Sequence, residues 1–300
     1  MRKRKQQRTF LILAAVVALA LASYLPQWLR APAQPRVNAG VAQLTLHFID
    51  VGQGDCTLIQ AGGQSMLIDG GERGSEELVT NYLKAQNVER LDYVVATHPH
   101  SDHIGGLAYG VLEAFPVGTI IAPRLSQTHM PTTQTYERFL QCVAQCKQEG
   151  AQAVFARAGD TYELGPARFQ LLGPLQEDGR NYNNDSVALR LSLGEVGVLM
   201  TGDAEQPAEK RMLAEWGEAL RAQLMKAGHH GSKTSSTEQF LRAVQPESVV
   251  ISCGLYNTYG HPSPEVLARC KALGISVCRT DIDGTLVFAS DGTTIWRVTE

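Results

Sequence analysis

Seven consecutive residues, Thr97-His98-Pro99-His100-Ser101-Asp102-His103, constrain this chain more than any other stretch. They hold three of its eight histidines and a carboxylate. Neutral imidazole and carboxylate are the ligands that divalent cations of the zinc or manganese kind accept. The apolar run before them, Leu91–Ala96, reads as a short buried strand, and Pro99 bars a helix from running through the cluster. The side chains are therefore expected to fan out from a loop at a strand end, where active sites are usually built. A loop this tight can offer His98 and His100 to one cation and Asp102 with His103 to a second. A lone histidine would carry no such weight; the His-x-His-x-Asp-His spacing does.

Two further strand ends carry the same chemistry. Val198-Leu199-Met200 runs into Thr201-Gly202-Asp203, which presents a carboxylate after a permissive glycine. The competing role for Asp203 is a cap on a helix starting at Ala204. Gln223–Ala227 leads into Gly228-His229-His230-Gly231-Ser232. Strand alternation would point the two histidines apart, so one ligand is expected, His229, with His230 left to touch substrate or brace a ligand.

The chain begins with basic residues 2–8, followed by Phe10–Leu25 without a charge. As a helix those sixteen residues span roughly 24 Å, short of a ~30 Å hydrocarbon core. Residues 1–29 are therefore read as a signal peptide or an N-terminal membrane anchor, residues 30–42 as a linker, and residues 43–300 as the working domain, exported from the cytoplasm. Seven of the 27 basic residues lie in positions 1–36, while no acid precedes Asp50, so the remainder carries 20 basic against 30 acidic residues. A body with net charge −10 gains nothing from non-specific attraction to nucleic acid, and bound cations would have to offset it.

Within the domain, strands are expected at Leu44–Ile49, Cys56–Ile59, Ser65–Ile68, Leu91–Ala96, Ile120–Ala122, Leu164–Leu172, Val187–Leu193, Val196–Met200, Gln223–Ala227 and Ser248–Cys253, and in a terminal hairpin. Helical spacing marks Glu76–Gln86, Leu107–Phe115, Tyr136–Gln148, Pro207–Leu220, Ser236–Ala243 and Pro264–Leu273. Ser126–Thr133 reads as a loop over the site mouth, and Gly105-Gly106 as backbone passing close to the metals. Two successive groups of strands, each with helices, predict an α/β (α+β) fold of two packed sheets covered by helices. The six cysteines stand outside the ligand motifs; Cys270 with Cys278, and Cys142 with Cys146, are local pairs that an oxidising compartment could join.

The order Asp50-Val51-Gly52-Gln53-Gly54-Asp55, His98-x-His100-x-Asp102-His103, Thr201-Gly202-Asp203 and His229-His230-Gly231-Ser232 resembles the metallo-β-lactamase fold superfamily. More narrowly it resembles the branch containing the C-terminal domain of ComEC competence proteins, with Asn184-Asp185-Ser186-Val187 and Asn257-Thr258-Tyr259-Gly260-His261-Pro262 adding to the likeness. The resemblance implies a four-layer αββα sandwich with a di-metal centre at one edge, holding two divalent ions, zinc or manganese. By motif, His98 and His100 would hold the first metal; Asp102, His103 and His229 the second; Asp203 would bridge them. Many members supply a further histidine to the first metal between the first cluster and the bridging Asp. Here that interval contains only His129, in a loop, so the first site is expected to be weak or completed by Asn184, Asp185 or water.

Two such cations lower the pKa of water between them and polarise an ester, amide or phosphoryl oxygen. Asp102 and Asp203 would be the carboxylates closest to the reaction. Lys226, Ser232, Lys233 and His261 are candidates to contact a phosphate, Lys233 first among them, while Asp55 and Asp69 sit in glycine-rich turns where they would brace ligand histidines. The leading expectation is a phosphodiesterase or nuclease of the ComEC type linked to DNA uptake. Its substrate would be a phosphodiester such as DNA, its partners the membrane through an uncleaved N-terminus and a separate membrane channel. The alternatives are a hydrolase of small or cell-envelope esters, phosphocholine or lactam-like, and a non-catalytic domain with a degenerate metal centre.

Overall fold

The computed structural model describes residues 42–176, 179 and 181–299; residues 1–29 and all but the last of residues 30–42 lie outside them. Fifteen strands form two sheets among the described residues. The first has the order β15 (Ile295–Arg297), β14 (Leu286–Ser290), β1 (Leu44–Phe48), β2 (Thr57–Ala61), β3 (Gln64–Ile68), β4 (Leu91–Val95), β5 (Val117–Ala122), β6 (Gln152–Phe155), and the second β13 (Ser276–Arg279), β12 (Ser248–Ile251), β11 (Leu224–Lys226), β10 (Val196–Met200), β9 (Leu189–Leu193), β8 (Ala167–Leu171), β7 (Thr161–Leu164). In the first, β3 (Gln64–Ile68), β4 (Leu91–Val95), β5 (Val117–Ala122) and β6 (Gln152–Phe155) run parallel. In the second, β10 (Val196–Met200), β11 (Leu224–Lys226), β12 (Ser248–Ile251) and β13 (Ser276–Arg279) do the same.

Alternation along each strand builds the layers. In β1 (Leu44–Phe48), Leu44, Leu46 and Phe48 face the second sheet, where they meet Phe169, Leu191 and Val198. His47 faces the other way and meets the Tyr82 hydroxyl at 2.9 Å. On that outer side Leu58, Leu67 and Val94 pack against the helices Glu76–Ala85 and Gln134–Gln148. Leu199, Met225 and Val249 of the second sheet pack in turn against Gln206–Trp216, Glu238–Val244 and Pro264–Ala272. Sheets apolar on both faces need helices on both outsides, and the result is the expected αββα sandwich.

Several expectations shift. The stretch read as one strand over Leu164–Leu172 is a hairpin of β7 (Thr161–Leu164) and β8 (Ala167–Leu171), turned at Gly165 with φ +55°. The metal loop is shorter than expected: a helix starts at Ser101, directly after His100, and continues through a π-helical turn at Leu107–Val111. The strand ends at Val95 and the helix follows Pro99 by two residues, leaving Asp102 and His103 on a first helical turn. Gly105 and Gly106 do pack closely, but against the turn after β3 rather than the metal position; a Cβ on Gly106 would stand 2.0 Å from the Gly70 carbonyl. All six cysteines are free thiols. Among the described residues no helix is long and apolar enough to cross a membrane.

Candidate metal centre

The C-terminal ends of β4, β10 and β11 meet at one edge of the sandwich, and ligand side chains converge there from both sheets, as crevices at strand C-termini favour. His103, in the helix after β4, and His230, after β11, bring their Nε2 atoms to 3.3 Å from each other. Asp203 Oδ2 lies 3.3 Å from each of those nitrogens, and Asp102 Oδ2 lies 3.3 Å from His230 Nε2 and 3.9 Å from His103 Nε2. Four donor atoms thus face one point.

The far nitrogens are committed elsewhere. His103 Nδ1 donates to Asp69 Oδ2 at 2.8 Å, and His230 Nδ1 to the Ser252 carbonyl at 3.0 Å. Those bonds fix the tautomers that turn bare Nε2 lone pairs toward the point, the arrangement of a metal-ligating histidine braced from behind. Asp69 is itself clamped by the Thr97 amide at 2.8 Å and hydroxyl at 2.7 Å. Asp55 joins the cluster: its carboxylate oxygens approach His230 Nδ1 at 3.2 Å and His103 Nδ1 at 3.9 Å, and it offers an oxygen within 4.8 Å of donor atoms of His103, Asp203 and His230.

A second pair faces the same bridging carboxylate. His98 Nε2 and His100 Nδ1 are 2.9 Å apart, and His98 Nε2 is 3.8 Å from Asp203 Oδ2. Asp203 Oδ1 is buried without any hydrogen-bond partner. A carboxylate oxygen kept from water and protein donors, set among imidazole nitrogens, suits a cation, so these residues fit a divalent metal.

The electrostatics agree. Burial, helped by the neighbouring His103, holds His98 well below the ordinary histidine range, and burial lowers His100 too. Burial would also lower His103 and His230, but Asp203 with Asp69 around the one, and Asp203 with Asp55 around the other, outweigh it and raise both. Burial would raise Asp102 and Asp203; the two histidines between them reverse this and hold both carboxyls low. The carboxylates around His103 and His230 thus favour positive charge at the place where a cation would sit.

The tandem histidines correct the expectation drawn from alternation. Neither sits in a strand: His229 (φ 50°, ψ 51°) and His230 (φ 52°, ψ 25°) are both left-handed, and both rings turn toward Asp203. His230, not His229, joins Asp102 and His103, while His229 Nε2 stops 3.8 Å from Asp203 Oδ2. Asp203 is not a helix cap, because the helix begins at Gln206 with Glu205 in the capping place.

Other candidates separate. Lys226 is buried in an ion pair with Asp55 and donates to the Ala227 carbonyl, so it is committed to the scaffold rather than to a phosphate. Asn184 Oδ1 accepts the Glu205 amide, and its side chain is used there. Asp185 is buried. Ser232 Oγ is tied to Thr234. Lys233 is exposed, and His261 lies with its ring 5.5 Å from His229. His129 is exposed, but its carbonyl accepts the Tyr182 hydroxyl at 2.6 Å, which draws the Ser126–Thr133 loop to the segment beside His100. Glu205 escaped notice in the sequence, and Thr97 and Asn183, though they stand beside the motifs, had no role there, because no spacing rule singles out a capping acid, a strand-end threonine or an amide.

The family model described as the metallo-beta-lactamase superfamily matches residues 49–254. Relatives include ComE operon protein 3 of Bacillus subtilis, 30% identical over 80% of this chain and 32% of that protein. Competence protein ComA of Neisseria gonorrhoeae is 32% identical over 80% of this chain and 31% of its own length. The chain thus spans about a third of the length of these relatives. Among solved structures, the diiron β-hydroxylase CmlA of Streptomyces venezuelae superposes with a TM-score of 0.53 at 15% identity, covering 79% of this chain and 53% of CmlA, a likeness of fold alone. The chain belongs to the metallo-β-lactamase superfamily, beside the ComEC-type competence proteins.

Proposed function

We propose that the chain is an exported hydrolase of phosphodiesters that works with two divalent cations, zinc or manganese, and takes DNA as its substrate. The observation that carries this reading is the convergence of His103 Nε2, His230 Nε2, Asp102 and Asp203 on one point, with His98 and His100 facing the same Asp203. Cations held there supply Lewis-acid chemistry, acidifying water and neutralising charge that grows on phosphoryl oxygens. The protein's part is to fix the ligands. Asp69 and the Ser252 carbonyl hold the imidazole tautomers, and Asp203 spans both groups of histidines. His261 lies beside His229, and the Tyr182 hydroxyl ties the Ser126–Thr133 loop to the segment next to His100.

DNA is favoured over other diesters because the names of the relatives speak of competence and, for the Haemophilus influenzae protein, recombination. The basic, then apolar, residues 2–25 support export or anchoring. One observation favours a second reading, a hydrolase of small or envelope esters: outside residues 1–36 acids outnumber bases by 30 to 20. The test is to purify the full chain, load it with zinc or manganese, and assay single-stranded DNA beside bis-p-nitrophenyl phosphate, with Asp203→Ala in parallel. Cleavage of DNA that disappears in Asp203→Ala is the expected result. Turnover of the small diester without DNA cleavage selects the second reading, and loaded protein that cuts neither overturns hydrolysis.

A further inference from the structure

We infer that the adjacent histidines His229 and His230 are divided between the two cation positions, with His229 completing the His98–His100 position for which the sequence offers no third histidine. The inference rests on the two-cation reading above.

Backbone, orientation and surroundings each point this way. Two successive non-glycine residues in the left-handed region are uncommon, and strain of this kind is kept where a site uses it. Here it turns neighbouring rings, 6.0 Å apart at 65°, onto the same carboxylate instead of opposite faces.

His229 is oriented as His103 and His230 are. Its Nδ1 lies 3.3 Å from Glu205 Oε1, and that carboxylate is held by the Asn181 amide at 2.8 Å and the Thr234 hydroxyl at 3.2 Å. Nδ1–H donates to the Thr234 hydroxyl at 3.5 Å, which in turn donates to Glu205, and Nε2 lies 3.8 Å from Asp203 Oδ2, the same distance that separates His98 Nε2 from that oxygen. A carboxylate behind one nitrogen, with the other facing the central carboxylate, is how ligand imidazoles are set.

The surroundings decide which position it serves. His229 Nε2 reaches the segment Tyr182–Asp185, with the Asn183 amide at 3.5 Å. The same segment flanks the first pair, since the Tyr182 ring stands edge-on to His100 at 5.8 Å. His230, by contrast, reaches His103 at 3.3 Å. Asn183 Oδ1, on the amide beside His229, is buried without a partner, and so is Asp203 Oδ1. Two orphan buried oxygens, on the two residues that flank an imidazole nitrogen whose hydrogen-bond contact is a long 3.5 Å one, are a donor set for a cation.

The test counts metal on the chelator-stripped full chain by elemental analysis and measures both affinities by chelator competition with manganese and zinc. The wild type is expected to take two equivalents. His229→Ala should keep one at wild-type affinity and bind the other about tenfold or more weakly, and His100→Ala should weaken that same equivalent. His230→Ala and His103→Ala should weaken the opposite one, so that His229→Ala with His103→Ala loses both while His229→Ala with His100→Ala still keeps one. Far-UV circular dichroism of the metal-free forms checks folding, and His229→Asn replaces the alanine variant if that one misfolds. Two equivalents unchanged by His229→Ala overturn the division, as does weakening of the equivalent that depends on His103. A wild type that takes up one equivalent overturns the two-cation reading itself, and this inference with it.

Discussion

Asp69→Asn changes one oxygen for an amide nitrogen at a position with no exposure to solvent. The carboxylate now accepts three bonds: from the Thr97 amide at 2.8 Å, the Thr97 hydroxyl at 2.7 Å and His103 Nδ1 at 2.8 Å. Asparagine keeps its oxygen on the Thr97 amide and turns its NH2 toward His103, so Nδ1 must become the acceptor. The ring proton moves to Nε2, which then presents a hydrogen to Asp203 and His230 instead of a lone pair. Losing such a brace behind a ligand histidine costs about 10- to 100-fold in metal affinity, or ~1.4–2.7 kcal/mol. The assay is chelator competition on the full chain, with thermal melts of the metal-free proteins as the folding control. Thr97→Val removes a hydroxyl that meets both Asp69 Oδ2 at 2.7 Å and His98 Nδ1 at 3.1 Å, and should weaken metal binding through both. A folded Asp69→Asn variant that binds metal as tightly as the wild type refutes this account of how His103 is set.

Three other perturbations probe the scaffold. Burial lowers His47 to about 4, whereas the unfolded chain titrates near 6.5, so between those values the unfolded state holds the extra proton; stability is lost as pH falls from 6.5 to 4, by up to ~3 kcal/mol. Urea unfolding of His47→Gln should show a flatter profile than the wild type over that window, and parallel profiles would contradict it. Lys226→Met takes the ammonium partner from buried Asp55, leaving it only the rings of His230 and His103, and should cost about 3–5 kcal/mol, most of it recovered by Lys226→Met with Asp55→Asn; a single variant within ~1 kcal/mol of wild type in urea would mean that the pair is dispensable. Phe169→Ala empties the space between the sheets, where the ring meets Tyr93 and Tyr162 at 5.1 Å each, and should cost roughly 3–5 kcal/mol in the same assay.

The fold and the core of the centre were legible because they depend on local pattern. Uninterrupted apolar runs such as Val196–Met200 announced doubly buried strands, and the His-x-His-x-Asp-His spacing marked four of the side chains that gather around Asp203. What escaped depends on partners far away or on backbone that spacing does not encode. Lys226 looks like a phosphate contact until Asp55 is placed beside it. The two histidines look like strand residues until their left-handed torsions are seen. The strands β6 and β13 carry few fully buried side chains, at the outer margins of their sheets, and so lack the apolar signature that marked the central ones.

The centre draws His98, His100, Asp102 and His103 from the first sheet's side of the sandwich and Asp203, His229 and His230 from the second. Ligands recruited from both halves make the site a rivet. Any cation held there ties the two sheets at an edge where the apolar core between them gives way to polar loops, and the tie tightens with supply, by ~2.7 kcal/mol when the free ion stands at a hundred times its dissociation constant. Scarcity of the ion would then reach beyond turnover to the lifetime of the protein, loosening that edge and opening the strand-end loops to proteases, so that the amount of protein present would itself report the metal in its surroundings.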